Sequence, residues 1–370
     1  MEIVTLSTRD EWLALKADWE RLWALQPRPE VFQIFAWLDA FIESFTPSLS
    51  LRILTARMDG MMIGILPLIS TEKPGHWTLA GSPNADYQDF LAESAFAVEI
   101  MRAFVNEFAS LRFRVVVFEE LAEQSLLLKT LRQMSGNIVI RKSSTCHFAI
   151  TTDETVASIR RKGGIKDNER RLAKIGAVEM CVVQTVSERI EMLDVLFEQH
   201  RARWASSQFK APEFCEFYRR LCRSGGLARQ VHFSILRVGK RIVACHLGFI
   251  INGRFIYYKP TYDVAVKGAG QVLLSRLFVE AQRLGLEEMD FTRGGEPYKA
   301  ALASGVRQNF EARLFLSVGD RLRHRFAVAL RAWMPRDANG LALTTKWMRC
   351  LKSILQMRAR PESGKEWDTP

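Results

Sequence analysis

Two β-hairpin patterns, one in each half of the sequence, restrict the fold of this chain more than any other feature. The segment Arg57–Gly64 (Arg-Met-Asp-Gly-Met-Met-Ile-Gly) aligns without a gap with Arg237–Ala244 (Arg-Val-Gly-Lys-Arg-Ile-Val-Ala). Each segment joins two apolar runs through a short turn, and a polar loop, a helical pattern and a strand pattern follow each of them. This shared order predicts an internal duplication, and a chance likeness of two short hairpins is the alternative.

The spacing of apolar residues predicts similar elements in both halves. In the first half we predict helices at Arg9–Gln26, Phe35–Phe45, Ala95–Ala109 and Gln124–Met134, and strands at Leu51–Arg57, Met61–Ile69, Phe113–Phe118 and up to Ile150. In the second half we predict helices at Asp153–Arg161, Asp167–Ile175, Ser187–Ala205, Pro212–Arg223 and Gln271–Leu284, and strands at Val231–Val238, Arg241–Ile251, Arg254–Lys259 and Leu286–Phe291. The expected fold is mixed α/β, of the α+β class, with a mostly antiparallel sheet flanked by helices in each half. The predicted domains are residues 1–150 and 151–320, followed by a basic helical tail at 321–370.

The composition is that of an ordinary soluble protein. Of its 370 residues, 48% are hydrophobic and 25% are charged. The six cysteines show no paired spacing and the six histidines are scattered, which favours reduced cysteines and no metal site. No apolar run is long enough to span a bilayer, and the first residues do not resemble a secretory signal, so we expect a cytoplasmic protein.

The positive charge is concentrated near the end of the chain. The net charge is +11, and residues 321–360 hold ten Lys or Arg against one Asp. Two helices are predicted there, at Phe326–Met334 and Leu341–Met357, and the second has an apolar face flanked by basic residues. Residues 321–358 therefore suit peripheral contact with an anionic membrane, or a helix packed on the protein with its basic face in solvent. Because the rest of the chain carries little net charge, we do not expect DNA binding.

The segment Asp290–Lys299 (Asp-Phe-Thr-Arg-Gly-Gly-Glu-Pro-Tyr-Lys) has the richest chemistry in the chain. It follows a short apolar strand and holds two carboxylates, a phenol and two cations, which suit proton transfer and anion binding. A well-capped turn between a strand and a helix is the alternative interpretation.

Three further motifs precede this segment. Tyr257–Asp263 ends a strand with three tyrosines, and Lys267–Gly270 places two glycines before a helix, where backbone N–H groups favour an anion. The alternatives are a half-buried aromatic strand and an ordinary loop. His200–Trp204 closes a long helix, and we expect packing there more than ligand contact.

Five motifs occur in a family's order: Phe32–Leu38, the hairpin Arg57–Ile65, Gly81–Phe90 (Gly-Ser-Pro-Asn-Ala-Asp-Tyr-Gln-Asp-Phe), His200–Trp204 and Asp290–Lys299. Together they resemble the CelD/BcsL-type acyltransferases of the GNAT superfamily, which are relatives of the FemAB peptidyltransferases. The resemblance implies two GNAT-like domains, each with a mostly antiparallel central sheet, and an acyl-CoA site in the second domain. It implies acetyl-CoA as the co-substrate and no metal.

The resemblance also implies roles for particular residues. The CoA-binding residues would be Tyr258, Lys267, Gly268, Gly270 and Gln271, with the two glycines holding the pyrophosphate through backbone N–H groups. The sequence Val-Lys-Gly-Ala-Gly at 266–270 departs from the Tyr-Ser-Pro-Gly that relatives often show. The catalytic residues would be Tyr298, Glu296 and Asp290, with either carboxylate as the proton acceptor and Tyr298 as the donor to the leaving thiolate. The acceptor would contact Asp86, Tyr87, Asp89, Trp204, Tyr262, Arg293 and Lys299, the last two through a phosphate or pyrophosphate.

The activity that the resemblance implies is N-acyl transfer to an aminosugar, in a sugar nucleotide or lipid-linked glycan precursor of bacterial exopolysaccharide. One alternative is a FemAB-like transferase that uses aminoacyl-tRNA, although the positive charge lies in the tail and not near the site. Another is a GNAT-fold regulatory or binding protein that answers to a membrane, or to cyclic di-GMP through Arg321, Arg323 and Arg325. An inactive scaffold is a third.

Overall fold

A computed structural model describes residues 1–161 and 164–333. Within them, thirteen strands form one sheet. The strands are β1 Glu2–Leu6, β2 Leu51–Met58, β3 Met61–Ser70, β4 His76–Leu79, β5 Leu91–Ala92, β6 Val115–Ala122, β7 Ile138–Ile150, β8 Val178–Val182, β9 Val231–Val238, β10 Arg241–Ile251, β11 Arg254–Tyr262, β12 Glu288–Arg293 and β13 Gly305–Phe315. Their order across the sheet is β1-β2-β3-β4-β6-β13-β7-β12-β11-β10-β9-β8, and β5 pairs with β3.

Helices cover both faces of this sheet. Those before residue 317 are α1 Arg9–Ala14, α2 Lys16–Ala24, α3 Phe35–Phe45, α4 Ala97–Ser110, α5 Leu126–Gln133, α6 Asp153–Arg161, α7 Ile165–Ala173, α8 Val186–Arg203, α9 Pro212–Arg223, α10 Ala269–Arg283 and α11 Pro297–Leu302. Four short 3₁₀ turns lie at Val31–Gln33, Ser94–Phe96, Gln208–Lys210 and Gly225–Leu227. Mixed α/β architecture with a mostly antiparallel sheet is therefore confirmed.

The two predicted hairpins have the same geometry. β2 and β9 have the same length, and β3 follows β2 at the same interval as β10 follows β9. Both hairpins carry a bulge at the matching position, because the register shifts at Ile63 in β3 and at Val243 in β10. Bulges are specific features of a strand pair, so this shared defect supports an internal duplication.

The last strand of each half lies beside the other half. β7 closes the first half in sequence, yet it pairs with β12 and β13, and β13 pairs with β6. The sheet order is symmetrical about the central β13–β7 pair. Residues Met1–Leu316 accordingly form one compact unit. Because strands from both sides of residue 150 pair with each other, the sheet does not test the predicted domain boundary, which stays a prediction.

Two strand pairs are parallel, and they occupy equivalent places in the two halves. β4 pairs with β6, and β11 pairs with β12. In the second half the pairing covers three residues, from Arg254–Glu288 to Ile256–Asp290, whereas β11 continues to Tyr262. We name the region where the two strands have stopped pairing the β11/β12 cleft.

The hydrophobic core lies on both faces of the hairpins. Successive residues of a strand point to opposite faces, and Ile53 and Leu54 accordingly belong to different apolar clusters. One face is shared by both halves, since Trp37 of α3 packs edge-on against Phe217 of α9 with 5.1 Å between the ring centroids. On the other face, α4 and α5 cover the first half and α10 covers the second. The cleft therefore sits in a rigid frame.

Several predicted elements need correction. The single helix at Arg9–Gln26 is wrong, because the chain breaks at Leu15 into α1 and α2. Thr8 is the N-cap of α1 and forms a capping box with Glu11. For most other elements, the predicted and observed ends differ by a few residues. The strand predicted at Phe113–Phe118, for example, corresponds to β6. The prediction omitted β1, β4, β5, β8, β13 and α11.

The residues after Leu316 form a separate unit, which begins at Ser317. Its described part contains α12, Val318–Trp333, which includes most of the helix predicted at Phe326–Met334. The helix predicted at Leu341–Met357 lies outside the described residues, as does Cys350. The other five cysteines are unpaired. No helix in the described part of the chain has the length and apolar character needed to cross a bilayer.

A buried histidine in the sheet predicts acid sensitivity. Burial lowers the pKa of His232 to about 4, although Glu280 opposes the shift. The unfolded chain therefore binds more protons than the folded protein between pH 6.5 and 4, so stability falls as the pH falls through this window. We expect His232→Phe to reduce the loss of unfolding free energy between pH 7 and pH 4.5 by about 2–3 kcal/mol. Urea unfolding at both pH values measures it, and equal losses in the two proteins would refute the assignment.

Candidate active site

The two motifs with the most specific sequences meet in the structure. The Tyr87 hydroxyl, in the turn Gly81–Phe90, donates a hydrogen bond to Asp290 at 2.8 Å. One residue earlier, Asp86 forms an ion pair with Arg293, with 2.6 Å between carboxylate oxygen and Nε. Two segments that are far apart in the sequence are thus joined by a buried polar junction.

Asp290 lies inside this junction. Its side chain is 1% exposed and also accepts a hydrogen bond from the Thr292 backbone N–H at 2.8 Å. Burial raises the pKa of Asp290, and the guanidinium of Arg254, 3.5 Å away, opposes the shift. Arg307 lies 3.6 Å from the same carboxylate. These contacts indicate a residue that holds the two motifs together, so its predicted role as proton acceptor is better assigned to the other carboxylate.

The other carboxylate, Glu296, lies at the surface and precedes α11. It is half-exposed and pairs with Lys299 at 3.1 Å. The Lys299 ammonium also donates to the Arg293 carbonyl at 2.7 Å. Gly294 lies against this pair, because a Cβ there would come within 2.6 Å of the Lys299 nitrogen. Glu296 is the catalytic carboxylate candidate with access to solvent.

The cations predicted to grip a phosphate already have protein partners. Arg293 pairs with Asp86 and also donates to the Pro83 carbonyl, and Lys299 is buried against Glu296. Neither cation is free to take an anion without giving up a carboxylate. The predicted phosphate contacts of Arg293 and Lys299 stay predictions, and each would require the cation to exchange its carboxylate for the phosphate.

Tyr298 lies in α11, and its ring packs edge-on against Phe291 of β12 with 6.5 Å between the ring centroids. It interacts electrostatically with Tyr257, the first β11 residue beyond the paired segment. Burial raises the pKa of Tyr298, with the nearby Glu296 charge acting in the same direction. A phenol with a raised pKa stays protonated at neutral pH, so it can donate a proton to a thiolate.

The geometry of β11 beside Tyr257 is irregular. A register shift lies between the pairs Leu247–Lys259 and Phe249–Ile256, so Tyr257 and Tyr258 oppose the single residue Gly248. A Cβ at Gly248 would lie 2.5 Å from the Ile256 carbonyl oxygen, which only glycine avoids. Bulges of this kind change the direction of strand groups beside functional sites.

Three predicted ligand contacts are used inside the protein. The Tyr258 hydroxyl donates a hydrogen bond to the Asn84 carbonyl at 2.7 Å, and the Tyr87 hydroxyl donates one to Asp290. Asp89 caps α5, since its carboxylate accepts N–H groups of Leu126 and Leu127 at 2.6 and 2.7 Å. Burial raises the pKa of Asp89 to about 7. The structure gives Tyr258, Tyr87 and Asp89 positioning roles, and their predicted contacts with CoA or acceptor stay untested.

The start of α10 borders the same cleft. Gly268 is its N-cap, with φ of 88° and no side-chain capping bond. A Cβ at Gly270 would come within 2.8 Å of the Tyr262 ring, so the first turn lies directly against the end of β11. The N–H groups of Gly270 and Gln271 belong to the first helical turn, where N–H groups lack intrahelical partners. This turn fits the anionic phosphates of CoA.

Asn168 of α7 supports that turn, and sequence inspection missed it. Its side-chain amide donates to the Gln271 side chain at 2.5 Å, and a Cβ at Gly268 would collide with it. Gln271, predicted to bind CoA, is thus also a bridge to α7. Lys267 is exposed beside the turn. The predicted CoA contacts of Lys267, Gly268, Gly270 and Gln271 remain predictions that this geometry permits.

The predicted acceptor residues Trp204 and Tyr262 lie together around a cation that the prediction left out. The Arg203 guanidinium lies 4.7 Å from the Trp204 ring centroid and 4.4 Å from that of Tyr262. His200 is a packing residue, as expected, with its ring edge-on to Phe209 at 4.8 Å. The prediction left out Arg203 because it lies at a helix C-terminus, where cations are common since they interact favourably with the helix dipole.

Comparisons with known proteins agree with this architecture. Residues 159–300 match the family model described as an acetyltransferase (GNAT) domain. No curated protein matches the chain. Solved structures with a similar fold include FemX (TM-score 0.56, 10% identity, covering 88% of this chain and 99% of FemX). They also include L-PGS from Bacillus licheniformis (TM-score 0.57, 12% identity, 85% and 95%) and a conserved protein of unknown function from Bacteroides thetaiotaomicron (TM-score 0.57, 13% identity, 80% and 97%).

These matches fix the coarse assignment. At such low identities the solved structures show a shared fold and nothing about substrates. Residues 159–300 match a GNAT acetyltransferase domain, and FemX and L-PGS share the fold of the chain. The GNAT part of the predicted resemblance is confirmed for residues 159–300, and the narrower CelD/BcsL-type assignment stays a prediction.

Proposed function

We propose that this chain transfers an acyl group from an acyl-CoA thioester to an amine, with acetyl-CoA as the expected donor. The observation that carries the proposal is the β11/β12 cleft. Two parallel strands stop pairing there, the uncapped first turn of α10 borders the end of β11, and the Tyr298 phenol borders its beginning. This combination supplies a place for a thioester, a set of N–H groups for its phosphates and a proton donor.

The residues of the chain divide the chemistry among them. Acyl-CoA supplies an activated carbonyl and a thiolate leaving group. The edge of β11 beyond Ile256 no longer pairs with β12, so backbone N–H groups on that edge are placed to polarise a carbonyl. The Tyr258 N–H is not among them, because it donates to the His246 ring at 3.2 Å. Glu296 accepts the proton of the acceptor ammonium, directly or through water. Tyr298 gives its proton to the departing sulfur, and the edge-on contact with Phe291 positions its ring.

The acceptor that we propose is an aminosugar in a sugar nucleotide or lipid-linked glycan of bacterial exopolysaccharide. The motif resemblance supports this part of the proposal, and Trp204 offers an exposed aromatic surface beside the cleft for a sugar ring. The predicted cytoplasmic location, the membrane contact through residues 321–358 and the response to cyclic di-GMP are proposals that rest on sequence alone.

A second candidate is aminoacyl transfer from aminoacyl-tRNA. Two observations favour it: the fold is shared with FemX, and α7 carries four exposed cations next to the start of α10. The cations are Lys166, Arg170, Arg171 and, at the C-cap, Lys174. With the proposed site at the start of α10, these cations would place positive charge beside it, and α7 also carries the acids Asp167 and Glu169. Both donors are rich in phosphate, so this surface fits either of them.

Thioester consumption separates the two candidates. The full-length protein is incubated with acetyl-CoA and a panel of UDP-aminosugars in the absence of tRNA, and free thiol and acceptor mass are recorded. The proposal predicts thiol release that depends on the acceptor and an acetylated product. If no acceptor supports thiol release, and calorimetric titration shows no binding of acetyl-CoA, the proposed donor is wrong. Transfer that requires aminoacyl-tRNA would establish the second candidate.

A further inference from the structure

We propose that Arg203 and Lys259 form a subsite for an anionic group of the acceptor, a phosphate or carboxylate oxyanion, at the mouth of the β11/β12 cleft. The inference rests on the proposed function in one respect, because it assumes that the acceptor enters this cleft. It adds a chemical requirement that no sequence motif supplied: the acceptor, besides its amine, carries a negative charge.

Arg203 is a fixed and unneutralised cation. Its guanidinium is held between the rings of Trp204 and Tyr262, at 4.7 and 4.4 Å from their centroids. Within the described residues it has neither an ion pair nor a hydrogen bond. A guanidinium carries five N–H donors in one plane and matches an oxyanion in a bidentate manner. Because the rings already restrict the side chain, ordering it around a ligand has a small entropic cost.

Lys259 is the second such cation. Its ammonium lies 4.6 Å from the ring centroid of Tyr258, and that ring is anchored through its hydroxyl to Asn84. No carboxylate of the described residues pairs with it. The pKa of His200 is lowered to about 4, first by burial and then by the positive charges of Lys259 and Arg203. Both cations border the last residues of β11, since Lys259 stands three residues before Tyr262, whose ring contacts Arg203.

Three other cations of the site are neutralised. Arg293 pairs with Asp86, Lys299 with Glu296, and Arg254 with Glu30. An anion at the end of β11 therefore meets Arg203 and Lys259 without protein counter-charges, whereas the exposed Lys267 lies at the start of α10, in the proposed CoA region. Tyr298 lies within electrostatic range of Arg203, which opposes the rise in its pKa. An anion bound at Arg203 would lie beside the Tyr262 ring, which packs against the first turn of α10 at the border of the cleft.

Direct binding of simple anions tests the subsite without any turnover. Calorimetric titrations of the full-length protein, with acetyl-CoA in excess to fill the donor site, use inorganic pyrophosphate in one arm and glucuronate in the other. We expect one of the two probes to bind, and Arg203→Met and Lys259→Met each to weaken it by about tenfold or more. The probe that binds identifies the source of the charge as phosphate or carboxylate. Lys240→Met, in the exposed β9–β10 turn, should bind like the unmodified protein.

Two outcomes would overturn the subsite: neither probe binds, or both variants bind as tightly as the unmodified protein. Arg203→Lys guards against misfolding, because it keeps the charge and loses the planar donors, so its affinity should fall between the two extremes. The test is separate from that of the acyl donor. Probe binding that depends on Arg203, in a protein that consumes no thioester, would retain the subsite and reject the proposed reaction. Acetyl transfer by Arg203→Met and Lys259→Met variants that bind the probes as tightly as the unmodified protein would retain the proposed reaction and reject the subsite.

Discussion

Replacing Tyr298 with phenylalanine should lower kcat for acyl transfer by a factor of roughly 100 or more. The variant keeps the ring, which packs edge-on against Phe291, and loses the one hydroxyl that can protonate the leaving thiolate. Because the ring contacts are retained, the free energy of unfolding and the KM for acyl-CoA should change little. Steady-state kinetics with acetyl-CoA and the best acceptor of the panel measure the effect.

The pH profile shows whether the hydroxyl acts as an acid. Burial raises the pKa of Tyr298, so the unmodified enzyme should hold its activity through neutral pH and lose it only at strongly alkaline pH. In Tyr298→Phe this alkaline limb should disappear. Tyr257→Phe is the matched comparison, because it removes the neighbouring hydroxyl and leaves the proposed donor, and we expect a clearly smaller loss. A Tyr298→Phe enzyme with unchanged kcat would refute the role.

Replacing Arg254 with methionine should destabilise the protein by about 3–5 kcal/mol at pH 7. Arg254 is 4% exposed and lies between two buried carboxylates, at 2.8 Å from Glu30 and 3.5 Å from Asp290. Methionine fills a similar volume, so the main loss is the cation that offsets two buried negative charges. Urea unfolding at pH 7 gives the change in unfolding free energy.

Two comparisons make this prediction specific. Arg307→Met removes a cation that also lies near Asp290 but is more exposed, so its cost should be smaller. The cost of Arg254→Met should also shrink at pH 5. Without the arginine, burial raises the pKa of both carboxyls; the folded state then takes up protons more readily than the unfolded state, and stability recovers as the pH falls. A loss below about 1 kcal/mol at pH 7 would show that the junction is not held by this ion pair.

Local chemistry explains what the sequence predicted well. The hairpins β2–β3 and β9–β10 depend on turn residues and alternating apolar positions, which are visible in a few adjacent residues. Their strand starts were therefore placed correctly. The break at Leu15 was missed because Trp12, Leu15, Trp19 and Leu22 keep helical spacing across it, so the periodicity gave no signal.

Contacts between distant segments explain what could not be predicted. The exchange of β7 and β13 between the halves is a matter of pairing over long separations, which single-strand patterns do not record. The same holds for the site. The sequence does not distinguish between four basic residues of the site. Only the folded structure shows that Arg293 and Lys299 contact carboxylates, whereas Arg203 and Lys259 contact aromatic rings.

Hydrogen–deuterium exchange with and without acetyl-CoA tests the central claim most directly. The β4–β6 pair is the equivalent parallel pair of the first half, so it serves as an internal control. Binding at the β11/β12 cleft predicts slower exchange of amides at 257–262 and 268–272, with unchanged exchange at 76–79 and 115–118. Protection confined to the first-half pair, or no protection in either place at saturating acetyl-CoA, would contradict the account.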